Sequence, residues 1–255
     1  MGLSATRPHD VAWPELAAFG TATPVLVREA ATALVDQTAV AEAGTVLTWG
    51  SLDALIEATA AQLTTYGIRR GDVVTVQLPN WWETIVIAMA IWRLGAVLNP
   101  VTPIYRGSEL RIIFELAKPS LVLVPGAFGD TDYPAMNRQA LTEAGSSASV
   151  VAIRPATADG ALFPAGPAAP QELPDIASLS ADDICVLMFT SGTTGRPKGV
   201  LHSHRTLLYE SWSIADRFHL NSPSVFMPSP LTHITGLLYG ILLPILTNGS
   251  VVLQD

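Results

Sequence analysis

The stretch of the chain best suited to chemistry is Phe189-Thr-Ser-Gly-Thr-Thr-Gly-Arg-Pro-Lys-Gly199. Gly192, Gly195 and Gly199 let backbone N–H groups come close to phosphate oxygens. Thr190, Ser191, Thr193 and Thr194 supply hydroxyl donors, and Lys198 adds a mobile positive charge. A plain surface turn could have the same composition. This one, however, lies between a strand pattern at Ile184–Phe189 and a helix pattern at Ser203–Phe218. The common P-loop needs Gly-x-x-x-x-Gly-Lys-Ser/Thr. Here Gly192 and Gly195 are three apart, Pro197 precedes the lysine and Gly199 follows it. A kinase or GTPase reading fails on that spacing.

The bulk numbers narrow the function classes. The chain has 255 residues, enough for a sizeable core. Charged residues make up 14%, below the roughly 25% of ordinary soluble domains, so apolar surface awaiting a cover is expected. The net charge of −8 and the lack of any basic run argue against a nucleic-acid partner. The single cysteine, Cys185, allows no internal disulfide and reads as an inert core thiol. Ile85–Leu98 and Leu237–Leu246 are the longest apolar stretches. Both fall short of the roughly 20 residues a membrane-spanning helix needs. Met1–Thr6 fits a loose myristoylation pattern, which we take as a chance match. No secretory leader is visible, and a cytoplasmic location is expected.

Helix and strand patterns alternate from about residue 25, the signature of an α/β fold. Helical spacing covers Val25–Leu34, and Thr38–Thr48 reads as a hairpin turning at Ala43-Gly44. Ser51–Tyr66 reads as a helix capped by Ser51, and Asp72–Leu78 as a strand. Asn80 and Glu83 fit a capping box for a helix ending at Gly95. Trp81 and Trp82, in its first turn, could stack a ligand, but packing is the favoured reading. A strand at Ala96–Asn99, a helix at about Gly107–Ala117 and a strand at Leu121–Val124 follow. Pro155–Pro174 reads as a mobile loop, and Val225–Met227 and Ser250–Leu253 as strands. His202 and His204 form a His-x-His pair without a third ligand, so no metal site is assigned. His204 is expected to cap the helix that follows, and His219 to sit at its far end.

The loop resembles the phosphate loop of the adenylate-forming superfamily, matching Tyr/Phe-Thr-Ser-Gly-Ser/Thr-Thr-Gly-x-Pro-Lys-Gly at every specified position. Leu47-Thr-Trp-Gly-Ser-Leu52 and Leu94-Gly-Ala-Val-Leu-Asn-Pro-Val-Thr-Pro103 resemble two upstream segments of that superfamily, in the right order. Met227-Pro-Ser-Pro-Leu-Thr-His-Ile-Thr-Gly236 resembles its Pro-Leu-x-His-x-x-Gly segment. The resemblance implies an acyl- or aryl-CoA synthetase: ATP and a carboxylic acid give an acyl-adenylate, which coenzyme A intercepts. It implies that Thr190, Ser191, Gly192, Thr193, Thr194, Gly195 and Lys198 cradle the β- and γ-phosphates. It also implies that His233 borders the reacting carboxylate. From its residues alone His233 reads more readily as a hydrogen-bonded turn residue, and the resemblance reverses that reading. Thr232-His233, in place of the aspartate of amino-acid-activating members, favours an acid without an α-amino group. The cofactors implied are ATP, Mg²⁺ and coenzyme A.

Members of the superfamily are about twice this long. Their magnesium-binding Tyr-Gly-x-Thr-Glu segment, ribose-binding Thr-Gly-Asp segment and small C-terminal domain have no counterpart here. The expectation is therefore a partial N-terminal AMP-binding domain, unable to complete a turnover alone. About 71–219 would build one α/β layer, with about 25–70 and 220–255 beginning a second layer of stacked sheets with flanking helices. Exposed edges would make self-association plausible. Two other readings stay open: a ligase that loads a carrier protein, and a non-catalytic nucleotide- or partner-binding module.

Overall fold

The computed structural model describes residues 20–153, 162–164, 166–190 and 197–254. The chain opens with α1 (Thr23–Ala33), started by Pro24 in its first turn. A hairpin of β1 (Thr38–Glu42) and β2 (Thr45–Thr48) turns at Ala43 and Gly44, both at positive φ. Then α2 (Trp49–Thr64) begins on a capping box, but Thr48 is its cap and Ser51 the reciprocal partner. The expected cap at Ser51 is thus one turn-position too late. Ser51 still contributes, accepting the Thr48 N–H at 2.8 Å.

Two sheets follow. Strands β3 (Val73–Val76), β4 (Val97–Pro100), β5 (Leu121–Pro125), β6 (Ser149–Ile153), β7 (Ile184–Thr190) and β8 (Lys198–Ser203) form a six-stranded sheet. Its order is β6-β5-β3-β4-β7-β8, parallel except for the β7–β8 hairpin. Strands β9 (Ser224–Met227) and β10 (Ser250–Leu253) join the first hairpin in a four-stranded sheet, order β2-β1-β10-β9. The architecture is mixed α/β, with two sheets flanked by helices.

Helix α3 (Trp82–Arg93) is buried at all twelve positions, which explains the unbroken apolar stretch. Each fully buried Ile or Val along it contributes roughly 1.5–3 kcal/mol. Arg93 survives there because Glu57 pairs with its Nε at 2.6 Å and the Pro174 carbonyl accepts from its Nη1. Trp82 lies in the core, and Trp81 packs edge-on against Phe128, so the tryptophan pair is structural packing. Helix α4 (Gly107–Ala117) has the expected bounds. Helix α5 (Tyr133–Glu143), together with β6 and β8, escaped the sequence reading. Helix α6 (His204–Arg217) is capped by Ser203, not by His204.

A last helical run, α7, has three parts: Ile234–Gly236, a π-helical Leu237–Leu242 and Leu243–Thr247. Among the described residues, no helix is long and apolar enough to cross a membrane. The outer face of the four-stranded sheet carries a row of Phe226, Val252, Ala41 and Val46, paired strand to strand. Phe226 is 57% exposed and Val46 59%.

Candidate active site

The hairpin of β7 and β8 carries the glycine-rich loop. Thr190 and Lys198 face each other across its last registered pair, both exposed. A hydroxyl and an ammonium at the mouth of one loop suit a polyphosphate. Ser191, Gly192, Thr193, Thr194 and Gly195 lie outside the described residues.

What holds β7 in place is legible from side chains. Its ladder to β4 has a single registered pair, Leu98 with Val186. Two buried groups reinforce it. Asn99, fully buried, donates from Nδ2 to the Leu187 carbonyl at 2.8 Å and accepts from the Thr75 hydroxyl. The Trp92 indole N–H donates to the Cys185 carbonyl at 2.9 Å. Cys185 itself is buried, its thiol pushed up by burial and 3.6 Å from the His202 carbonyl, and it is inert.

A cavity of about 30 Å³ lies beside the end of β7. Pro100, Val101 and Thr102 line it from the end of β4, Met188 and Phe189 from β7, and Thr232 and His233 from the loop after β9. It opens at the C-terminal ends of parallel strands, where ligands of open α/β sheets bind. Gln77 fixes its rim, donating from Nε2 to the Thr102 and Tyr105 carbonyls at 3.3 and 3.1 Å. Tyr133 adds a hydroxyl bond to the Pro103 carbonyl. Thr232 is buried, and its hydroxyl has no partner among the described residues. His233 is exposed and caps α7: the Thr235 N–H donates to its Nδ1 at 3.4 Å. In that bond Nδ1 is the acceptor. The structure therefore brings His233 and Thr232 to the strand that leads into the glycine-rich loop.

The other histidines do different work. His204 is 2% exposed, with Nδ1 2.9 Å from the Thr23 hydroxyl and its ring edge-on to Trp92. Burial pushes its imidazole down to about 4. His219 adopts positive φ just past α6. Among the described residues, no three His, Cys, Asp or Glu side chains form a metal-binding group.

The expected capping box at Asn80 and Glu83 is absent. Glu42 caps α3 instead, accepting the Trp82 N–H at 2.6 Å from a strand 40 positions away. Glu42 and Glu83 share a cleft of about 190 Å³ with Trp81 and Trp82. Burial pushes the Glu83 carboxyl up to about 7, with its own backbone N–H opposing and Glu42 reinforcing. The raised value means Glu83 costs stability progressively as pH climbs from about 4.5 to 7. His204, with its lowered value, acts oppositely: stability falls as pH drops from 6.5 to about 4. Glu83→Gln should remove the opposing slope and leave that of His204. Unfolding free energies from urea titration should then rise with pH between about 4 and 6.5 and exceed wild type at pH 8 by on the order of 1–3 kcal/mol. No gain at pH 8 would contradict the buried carboxylate.

A family profile described as AMP-binding enzyme matches residues 27–255. The chain belongs to the AMP-binding enzyme family.

Within that adenylate-forming family, the chain is 32% identical over 241 residues to the medium-chain fatty-acid–CoA ligase of Escherichia coli (strain K12), covering 89% of this chain and 41% of that one. It is 30% identical over 266 residues to the salicylyl-CoA synthase / salicylate adenylyltransferase of a Streptomyces species, covering 97% and 48%. Among solved structures, apo MbtA of Mycobacterium smegmatis superposes with a TM-score of 0.79 at 26% identity, over 94% of this chain and 45% of that one. The fold is that of the N-terminal domain of adenylate-forming enzymes. The AMP-binding chain thus spans less than half the length of these curated relatives.

Proposed function

We propose that this AMP-binding chain supplies the phosphate grip and one wall of the acid site of an enzyme that activates a carboxylic acid with ATP. The acyl group of the adenylate would pass to the thiol of coenzyme A. One observation carries the reading: the cavity shared by Phe189, the residue before Thr190, with Thr232 and His233. It sets the group that would border a carboxylate beside the strand that leads into a phosphate-binding loop.

In this reading Thr190, Ser191, Gly192, Thr193, Thr194, Gly195 and Lys198 bind the β- and γ-phosphates. The donor set fits: hydroxyls, backbone N–H groups and one ammonium, with no carboxylate among them. Mg²⁺, when bound, would neutralise charge on the phosphates; the described residues offer it no ligand cluster, so its ligands would come from elsewhere. His233 orients or gates the acid, and the Thr232 hydroxyl offers a buried donor beside it. The apolar walls from Val101, Ile113 and Met188 suit an acid without a second charge. The 255-residue chain alone would not complete the reaction, since its relatives use more than twice its length. The exposed row of Phe226, Val252, Ala41 and Val46 supports self-association, which sedimentation over a concentration series would register as a rising mass.

The test is ATP–pyrophosphate exchange against a panel of aliphatic, alicyclic and aromatic acids. It should be run on the 255-residue chain and on the longest open reading frame containing it. Acid-dependent exchange by the longer protein and none by the short chain is the expected result. No exchange with any acid would sink the reading.

A further inference from the structure

Between the end of β9 and the start of α7, residues 228–233 have no ladder or helix to hold them, yet they carry Thr232 and His233. Their support comes from the other sheet. Asn80, 5% exposed in the turn between β3 and α3, reaches across to this segment. Its Nδ2 donates to the Ser229 carbonyl at 3.0 Å and lies 3.3 Å from both the Met227 and Gln254 carbonyls. Its Oδ1 accepts the Leu231 N–H at 2.8 Å. One planar amide therefore meets backbone from the ends of β9 and β10 and from the loop between β9 and α7.

We propose that Asn80 is the positioning residue for His233, holding the 229–231 backbone so that the imidazole stands at the cavity rim. The catalytic part of this inference rests on the reading of His233 as a neighbour of the reacting acid. Leu231 is two residues from His233, and the His233 N–H closes the turn onto the Pro230 carbonyl at 3.0 Å. Fixing Leu231 therefore fixes the turn. Only an amide has both donors and an acceptor in one plane for these groups. An aspartate would keep the acceptor and turn a negative charge on three carbonyls. An alanine would leave those carbonyls and one N–H buried without their partner.

The test has two arms. In native-state amide exchange on the 255-residue chain, Asn80→Ala should speed exchange at Leu231 and His233 at least tenfold. Val122 and Leu123, deep in the six-stranded sheet, should stay unchanged. Asn80→Asp, which keeps the acceptor for Leu231, should protect that N–H better than alanine does. Equal acceleration everywhere would show a merely global role and overturn the proposal, as would unchanged exchange at Leu231. In pyrophosphate exchange by the longer protein, Asn80→Ala should lower kcat about tenfold and leave the KM for ATP within twofold. A KM for ATP that rises in step with the kcat loss, or an unchanged kcat, would overturn the catalytic part. If the wild-type protein exchanges no pyrophosphate, the function reading fails, and the amide-exchange contrast still decides whether Asn80 clamps the segment.

Discussion

Replacing Gly236 by alanine should cost about 3 kcal/mol or more and dislodge the turn that carries His233. The position is helical, with φ −67° and ψ −38°, so any residue could adopt its backbone angles. Space forbids a side chain. A Cβ there would stand 2.1 Å from the Pro230 oxygen, 2.6 Å from its carbonyl carbon and 2.7 Å from the Leu231 Cα. All three are backbone atoms, which cannot swing away as a side-chain end could. Moving them would also strain the Leu231 bond to Asn80. Overpacking in a closed interior costs about 1–3 kcal/mol and sometimes more, and a clash with held backbone belongs at the upper end. Gly107→Ala is the control, because nothing lies within 4 Å of a Cβ at that position. It should change stability by less than about 0.5 kcal/mol. Urea denaturation of both variants decides the matter. A Gly236→Ala protein as stable as Gly107→Ala would show that the turn yields freely.

The second large effect is expected at Lys198. Lys198→Ala should slow adenylation by about 10²–10³-fold, the range seen when one preorganised donor to developing charge is removed. Stability should hardly change, because Lys198 is exposed at the mouth of the β7–β8 hairpin and closes no core contact. The KM for the acid should move little, since the ammonium serves the nucleotide. Lys198→Arg keeps the charge on a planar fork and should recover only part of the rate. Pyrophosphate exchange at saturating acid, together with a thermal melt, separates the outcomes. An unchanged exchange rate in Lys198→Ala would remove the lysine from the phosphate site.

Some of this architecture could be read along the chain, and the reason is locality. The bounds of α4 (Gly107–Ala117) follow from helical spacing within eleven residues. The turn at Ala43 and Gly44 follows from a single dipeptide between two alternating stretches. The helix pattern after Ser203 and the strand pattern before Thr190 bracket the glycine-rich loop in the same way. Where sequence reasoning failed, the partner was remote or the local signal weak. Asn80 and Glu83 have the spacing of a capping box, yet the cap of α3 comes from Glu42. With its turn clamped elsewhere, the Asn80 amide is engaged by carbonyls 147–174 positions away. His204 looks like a helix-start residue, but its polar contact is the Thr23 hydroxyl, 181 positions away. Strand β8 is exposed along most of its length, so it has no apolar alternation to announce it.

The family was legible in residue types at fixed spacing in one short loop, because a glycine-rich turn carries its signature within a few consecutive residues. Whether His233 stands near that loop was not settled there. It depends on β9 entering a second sheet, on Asn80 bridging the C-terminal ends of both sheets, and on Gly236 leaving room for the Pro230 carbonyl. The first two join segments far apart in the chain, and the third is a close approach within one tight turn. Only a folded backbone decides which distant carbonyl meets which amide, and so which histidine faces the site.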